Sequence, residues 1–217
     1  MSFVNQAYET IKKKIIENQY PPGYQALERQ MVDELGMSRT PIREALIRLH
    51  NEGLVELIPR KGMRVVPLSP DDMKEIYEVL SALEVAAVEL LGKRKLTKKE
   101  VTALENPINA MDKALEEDNL EGWADADARF HQELLKQCGN KRLASMAATL
   151  TDQTHRARLT TLRLRPKPSK SVDEHRQVLE ALKKGNWEEA KDIHYQHRAA
   201  ASKIITEILS YYRLSYL

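Results

Sequence analysis

Residues 36–66 read GMSRTPIREALIRLHNEGLVELIPRKGMRVV. A helix start, a helix and a hairpin follow one another in this stretch. Gly36 stands where a preceding short helix, Leu27–Leu35, would need a left-handed C-cap. Ser38 or Thr40 can cap the next helix, and Pro41 is tolerated in its first turn because the amide it lacks would be unpaired there anyway. At 100° per residue, Ile42, Ala45, Leu46 and Leu49 fall within one arc of about 100°, the stripe that packs inward. Arg39, Thr40 and Arg43 lie outside it. Free first-turn amides and the helix dipole favour anions there, and a guanidinium suits both phosphate oxygens and the O6/N7 edge of guanine. Taken alone, the pattern is equally that of a solvated basic helix end.

The neighbouring segments decide between the two readings. Upstream, Val4–Asn18 has helical spacing with Ala7, Ile11, Ile15 and Ile16 on one side, and NQYPPG stops it. Downstream, NEG at 51–53 breaks the helix, and LVELI at 54–58 reads as a strand. PRKG at 59–62 reads as a hairpin turn with Arg60 and Lys61 at its tip, and MRVV at 63–66 returns as a second strand. Three helices and a basic-tipped hairpin predict a winged helix-turn-helix. The third helix would enter the major groove while Arg60 and Lys61 reach phosphate or the minor groove.

Composition bounds what the rest can be. The 217 residues are 42% apolar and 30% charged, ordinary for a cored protein, and the formal charge of +2 excludes a strongly polybasic binder. Up to Ser69 there are ten Lys/Arg against eight Asp/Glu, and beyond it 24 against 24, so the slight excess is N-terminal. Cys138 is the single cysteine, so no intrachain disulfide is possible. The first residues lack a signal-peptide profile, and no apolar run approaches the roughly 18 to 20 residues that span a bilayer. The expectation is a cytoplasmic protein with no membrane partner.

From Leu68 the chain reads as helices only, near 71–91, 98–117, 120–138, 141–164, 171–184 and 187–212, so the fold class is mainly α: a winged helix-turn-helix over 1–67, then an all-helical bundle over 68–217. Four polar residues interrupt apolar stripes in that bundle. Asp127 and His131 lie amid Ala124, Phe130, Leu134 and Cys138. His175 shares a face with Val178, Leu179 and Leu182, and His197 falls among Ala190, Ile193, Ala201 and Ile204. An aspartate in an apolar stripe is costly unless something cationic meets it. The last two helices join through Gly185-Asn186, with His175 ten residues before that glycine and His197 twelve after. At 1.5 Å per residue each histidine is roughly 15 to 18 Å from the turn, at nearly the same height in an antiparallel hairpin. One carboxylate and three imidazoles can then converge, a set that suits a divalent transition metal with coordination positions left open. His194, nearer the stripe's edge, is the rival ligand. His155 has no comparable case.

PPGYQALERQMVDELGMSRTPIREALIRLHNEGLVELIPRKGMRVV resembles the DNA-binding domain of the GntR family of bacterial transcription regulators, with its signature similar to "LA..LGVSRTPVREAL..L..EGLV". The resemblance places Arg29, Ser38, Arg39, Thr40 and Arg43 on DNA-contacting positions and Gly62 on the wing glycine. Met31-Val32 departs from the family's more frequent leucine-alanine pair, at no contact position. The spacing of Asp127, His131, His175 and His197 is similar to that of the FCD domain of the family's FadR-type branch. By that resemblance these four residues hold zinc, nickel or another divalent ion beside a small carboxylate effector. Leu80 stands where members commonly carry an arginine facing the effector. Arg156 and Arg158 are candidates for the missing cation, although the basic run to Lys170 equally fits a solvated face.

Two functions follow from these readings. In the first, a homodimer binds palindromic operator DNA, since one winged helix reads few bases and two-fold half-sites need a two-fold protein. The metal-anchored effector, held in the helical effector-binding and dimerisation domain, controls DNA affinity. The alternative is a metal-dependent hydrolase carrying a DNA-binding domain. It lacks an evident general base, because Asp127 is the only carboxylate found in these stripes.

Overall fold

A computed structural model describes residues 2–212. Among the described residues the chain forms two compact units, one of residues 2–69 with residues 209–212, the other Pro70–Ile208. In the first unit, α1 (Phe3–Ile16), α2 (Glu28–Leu35) and α3 (Arg39–Asn51) surround a core of Ala7, Ile11, Ile15, Ile42, Ala45, Leu46 and Leu49, all fully buried. The inward stripe read from the third helix is therefore the one observed. Met31 is fully buried in the same core, so the departure from a leucine fills the space a leucine would. Gly36 ends α2 with φ 64°, the left-handed C-cap expected there.

The sheet has one strand more than the hairpin reading predicts. Residues Gln25–Ala26 form β1, which pairs antiparallel with β3 (Gly62–Val65), and β3 pairs in turn with β2 (Val55–Ile58), giving the order β1-β3-β2. Two residues are too short to show a periodicity, so β1 exists only because β3 offers it an edge. That pairing also fixes the wing glycine. Gly62 has φ 81°, and a Cβ there would lie 2.1 Å from the Ala26 carbonyl oxygen. Gly62→Ala should cost about 2 kcal/mol or more from left-handed strain and overpacking together, read as a lowered melting temperature of the first unit.

The second unit is all helical: α4 (Pro70–Gly92), α5 (Lys98–Glu116), α6 (Leu120–Gln137), α7 (Lys141–Thr161) with a 3-10 turn at Leu162–Leu164, α8 (Ser169–Lys184) and α9 (Trp187–Tyr212) as far as Ile208. Each predicted boundary differs by three residues or fewer. The largest difference, at the end of α7, reflects the last turn tightening to 3-10 geometry. Thr97 and Glu100 form a capping box at α5, and Asn119 and Asn140 cap α6 and α7. Gly185 closes α8 in the left-handed conformation, φ 81°, and turns the chain back into α9. Leu80, Val88, Ile108, Phe130, Leu134 and Leu179 are among the apolar residues of the core. No helix among the described residues is long and apolar enough to cross a membrane.

Candidate metal centre and nucleic-acid interface

The helical unit buries charge at its centre. Asp127, His131, His175 and His197 are each 6% exposed or less, and their ligand atoms all lie within 4.8 Å of one another. His131 Nε2 is 3.6 Å from Asp127 Oδ2 and 3.3 Å from His175 Nε2, and His175 Nε2 is 3.6 Å from Asp127 Oδ1. A tetrahedral site with bonds near 2.0–2.1 Å has ligand–ligand edges of about 3.3 Å. The three edges among Asp127, His131 and His175 are therefore already close to those of a coordination sphere.

Hydrogen bonding sets the tautomers. His131 donates Nδ1–H to Glu84 Oε2 at 3.1 Å, His197 donates Nδ1–H to Glu174 Oε2 at 2.9 Å, and His175 donates Nδ1–H to the Ser171 carbonyl. All three partners can only accept, so the proton of each neutral ring sits on Nδ1 and the Nε2 lone pairs face the shared space. His197 Nε2 is buried with no hydrogen-bond partner, and the His131 and His175 Nε2 atoms face each other as acceptors with no proton between them. Such a set is left unsatisfied by the protein's own groups, and a cation could satisfy it.

Electrostatics keep the ligands ready. Burial pushes the His131 imidazole down to about 4 and lowers His175 and His194 as well, so these rings are neutral at pH 7. For Asp127, burial alone would raise the carboxyl; the Arg158 guanidinium 3.0 Å from Oδ2 outweighs it and holds the group ionised. Glu84, from α4, is wholly buried and is held ionised against burial by Arg198 at 3.2 Å and by His131 and His194.

Several of these residues escaped the sequence reading. His194 is bonded to Glu84 at 2.8 Å, so the rival ligand belongs to a second group, Glu84, His131 and His194, that could also hold an ion. The buried face of α9 runs through Ala190, His194, His197, Arg198 and Ile205, whereas Ile204 is 41% exposed. A wheel drawn on apolar residues alone turned the face toward Ile204 and placed His194 at its edge. Asp127 is not the only carboxylate present: Glu84 and Glu174 flank the cluster. Glu84 was detectable, since it continues the stripe of Tyr77, Leu80, Ala87 and Leu91. Both glutamates are engaged by Nδ1–H groups, which suits them to orienting ligands. Glu84→Gln should lower metal affinity by about 10- to 100-fold without unfolding the unit, as measured by competition with a chromogenic chelator.

The two arginines proposed for an effector separate. Arg158 lines a cavity of about 280 Å³ together with Asp127, His197, Trp123 and Arg165. Arg156 is buried but does not line it. Both arginines are buried, so the solvated-face reading does not hold for them. Leu80 packs in the apolar core and is likewise absent from the cavity wall. His155 stands apart from the cluster, half-buried against Asp125.

In the first unit, Arg29, Ser38, Arg39, Thr40, Arg43, Arg60 and Lys61 are all exposed. Arg29, Arg39, Arg43, Arg60 and Gly62 line one concavity between α2, the first turn of α3 and the wing. Lys61 lies at the wing tip outside it. Arg39 Nε meets Glu28 Oε2 at 2.7 Å, an exposed pair that a stronger anion can displace. Ser38 is the N-cap of α3 and its hydroxyl caps no amide.

Comparison with known proteins matches residues 3–65 to the family of bacterial regulatory proteins called gntR and residues 75–200 to the FCD domain. An uncharacterized HTH-type transcriptional regulator of the TAR-I ttuE-ttuC' intergenic region of Agrobacterium vitis is 48% identical over 134 residues, 61% of this chain and 78% of that one. The uncharacterized HTH-type regulator YdhC of Bacillus subtilis is 30% identical over 210 residues, covering 93% and 92% of the two chains. The structure of Escherichia coli McbR/YncC superposes with a TM-score of 0.83 at 21% identity, over 95% of this chain and 98% of that one, a likeness of fold. The two sequence relatives are named as transcription regulators rather than enzymes, so the hydrolase alternative is set aside. With a gntR helix-turn-helix domain followed by an FCD domain across nearly its whole length, the chain belongs to the FadR-type branch of the GntR family of transcription regulators.

Proposed function

We propose that this regulator binds palindromic operator DNA as a homodimer in the bacterial cytoplasm, and that a small carboxylate effector at a metal centre in its FCD domain sets its affinity for DNA. The observation that carries the reading is the convergence of three imidazole Nε2 atoms and the Asp127 carboxylate, with every Nδ1 engaged by an acceptor. Asp127, His131, His175 and His197 would hold a divalent transition metal, zinc or nickel by ligand type. The metal supplies a Lewis-acidic anchor for an anion. Arg158 fixes the Asp127 carboxylate and faces the adjoining cavity, where an acid binds.

DNA recognition is assigned to the exposed first turn of α3 and to the wing. Arg39 and Arg43 would reach base edges, Arg29, Ser38 and Thr40 phosphates, and Arg60, Lys61 and the Gly62 backbone the wing contacts. Coupling requires the effector to bind one dimer geometry better than the other. The test is titration of the chain's own promoter DNA with zinc-loaded protein, with and without small acids. An acid should change the DNA dissociation constant by about 5- to 150-fold, the usual range of allosteric coupling, and only in protein that keeps its metal. An identical response in chelator-treated protein would overturn the metal-anchored mechanism.

A further inference from the structure

The cavity beside the metal cluster presents donors without acceptors. Trp123 Nε1 and Arg165 Nε are buried, find no hydrogen-bond partner and belong to residues of its wall, with the Arg165 guanidinium 5.6 Å from the centre of the Trp123 ring. Unpaired buried donors cost free energy that an incoming acceptor recovers. Charge accounting points the same way. Asp127 is offset by Arg158, and Glu84 by Arg198. Arg165 is partly exposed and its Nη2 donates to the Arg158 carbonyl, yet its Nε faces the cavity wall with no carboxylate among the described residues in an ion pair with it, so an anion entering beside a divalent ion meets an uncompensated guanidinium. Glu174, at the rim, is already engaged by His197 and Lys170.

We infer that the effector is a small acid with two acid groups: one completes the metal's open positions, and the other is taken by Arg165 and Trp123. The inference rests on the metal-anchored effector site proposed above and adds the second end. Size limits the class. A cavity of about 280 Å³ is at the small end of ligand pockets and admits a short diacid. Ala200, Ala201 and Ile204 supply an apolar wall for a short carbon chain. Arg165 and Trp123 are thus specificity-determining residues, distinct from the metal ligands.

Calorimetric titration of zinc-loaded full-length protein with linear diacids of three to six carbons, against monoacids of matching length, tests this. The best diacid should bind at least about 10-fold more tightly than its matching monoacid. Arg165→Met should abolish that preference while leaving monoacid affinity within about two-fold and zinc content unchanged. Trp123→Phe, which removes only the N–H and part of the ring, should reduce the preference and decides the matter if Arg165→Met does not fold. Equal affinity for the two acid classes in the wild type, or a preference that survives both substitutions, would overturn the two-ended site and leave the metal-anchored reading standing. Binding of neither acid class to zinc-loaded protein would overturn both.

Discussion

His197→Ala should strip the protein of its metal, lowering affinity by more than about 100-fold, since loss of an orienting partner alone typically costs 10- to 100-fold. His197 is the cleaner of two substitutions. Asp127→Ala also removes the metal, but it leaves Arg158 buried and unpaired, an added cost of about 3 to 5 kcal/mol. Metal held at about 1,000 times its dissociation constant stabilises the folded state by about 4 kcal/mol, and for a unit of this size that is roughly 8 to 16 °C in melting temperature. Chelation of the wild type should reproduce the shift. His155→Ala should bind metal normally, because that ring pairs with Asp125 outside the cluster. Elemental analysis and differential scanning calorimetry read both quantities, and full occupancy in His197→Ala would end the assignment.

Acid adds a further sign to this prediction. The His131 ring titrates at about 4 in the fold against about 6.5 unfolded, so the unfolded chain binds the extra proton between those values. Stability of the metal-free protein therefore falls as pH drops from about 6.5 toward 4.

Arg39→Ala and Arg43→Ala should each weaken specific DNA binding by about 1 to 3 kcal/mol, roughly 5- to 150-fold, and relax preference at one base position. Both side chains are exposed in the first turn of α3 and share one concavity with Arg29 and Arg60, so neither substitution touches the core. Lys61→Ala, at the wing tip, should act evenly across sequences and lower the salt dependence by about one phosphate contact. Footprinting or anisotropy titration on operator and scrambled DNA separates the two effects. Unchanged operator binding by both arginine variants would remove α3 as the reading helix.

The helices and the wing were legible because their determinants are local. Gly36, Pro41 and the Ile42, Ala45, Leu46, Leu49 stripe act within one or two turns, and PRKG demands a turn wherever it sits. Asp127, His131, His175 and His197 were legible for a different reason: polar groups in apolar stripes must meet one another, and the Gly185 turn sets equal heights for two of them. The strand β1 was not legible, because two residues carry no period and the edge of β3 alone makes them a strand.

The partners of the metal cluster depended on packing between helices far apart in sequence. Glu84 reaches His131 from 47 residues away and His194 from 110, and nothing in α4 by itself says which imidazoles it will meet. The face of α9 was turned by Arg198, a charge that the apolar wheel places in solvent and that the tertiary structure buries on Glu84. Arg165 follows the short 3-10 turn Leu162–Leu164 in extended conformation, with no helical periodicity to aim it. The sequence by itself determined the helices, the wing hairpin and the four polar side chains that interrupt apolar stripes, because local propensity and stripe composition suffice for these. Only the tertiary structure decided the tautomers, the orienting carboxylates and the cavity's unpaired donors, because each depends on which buried groups lie within about 3 Å of one another.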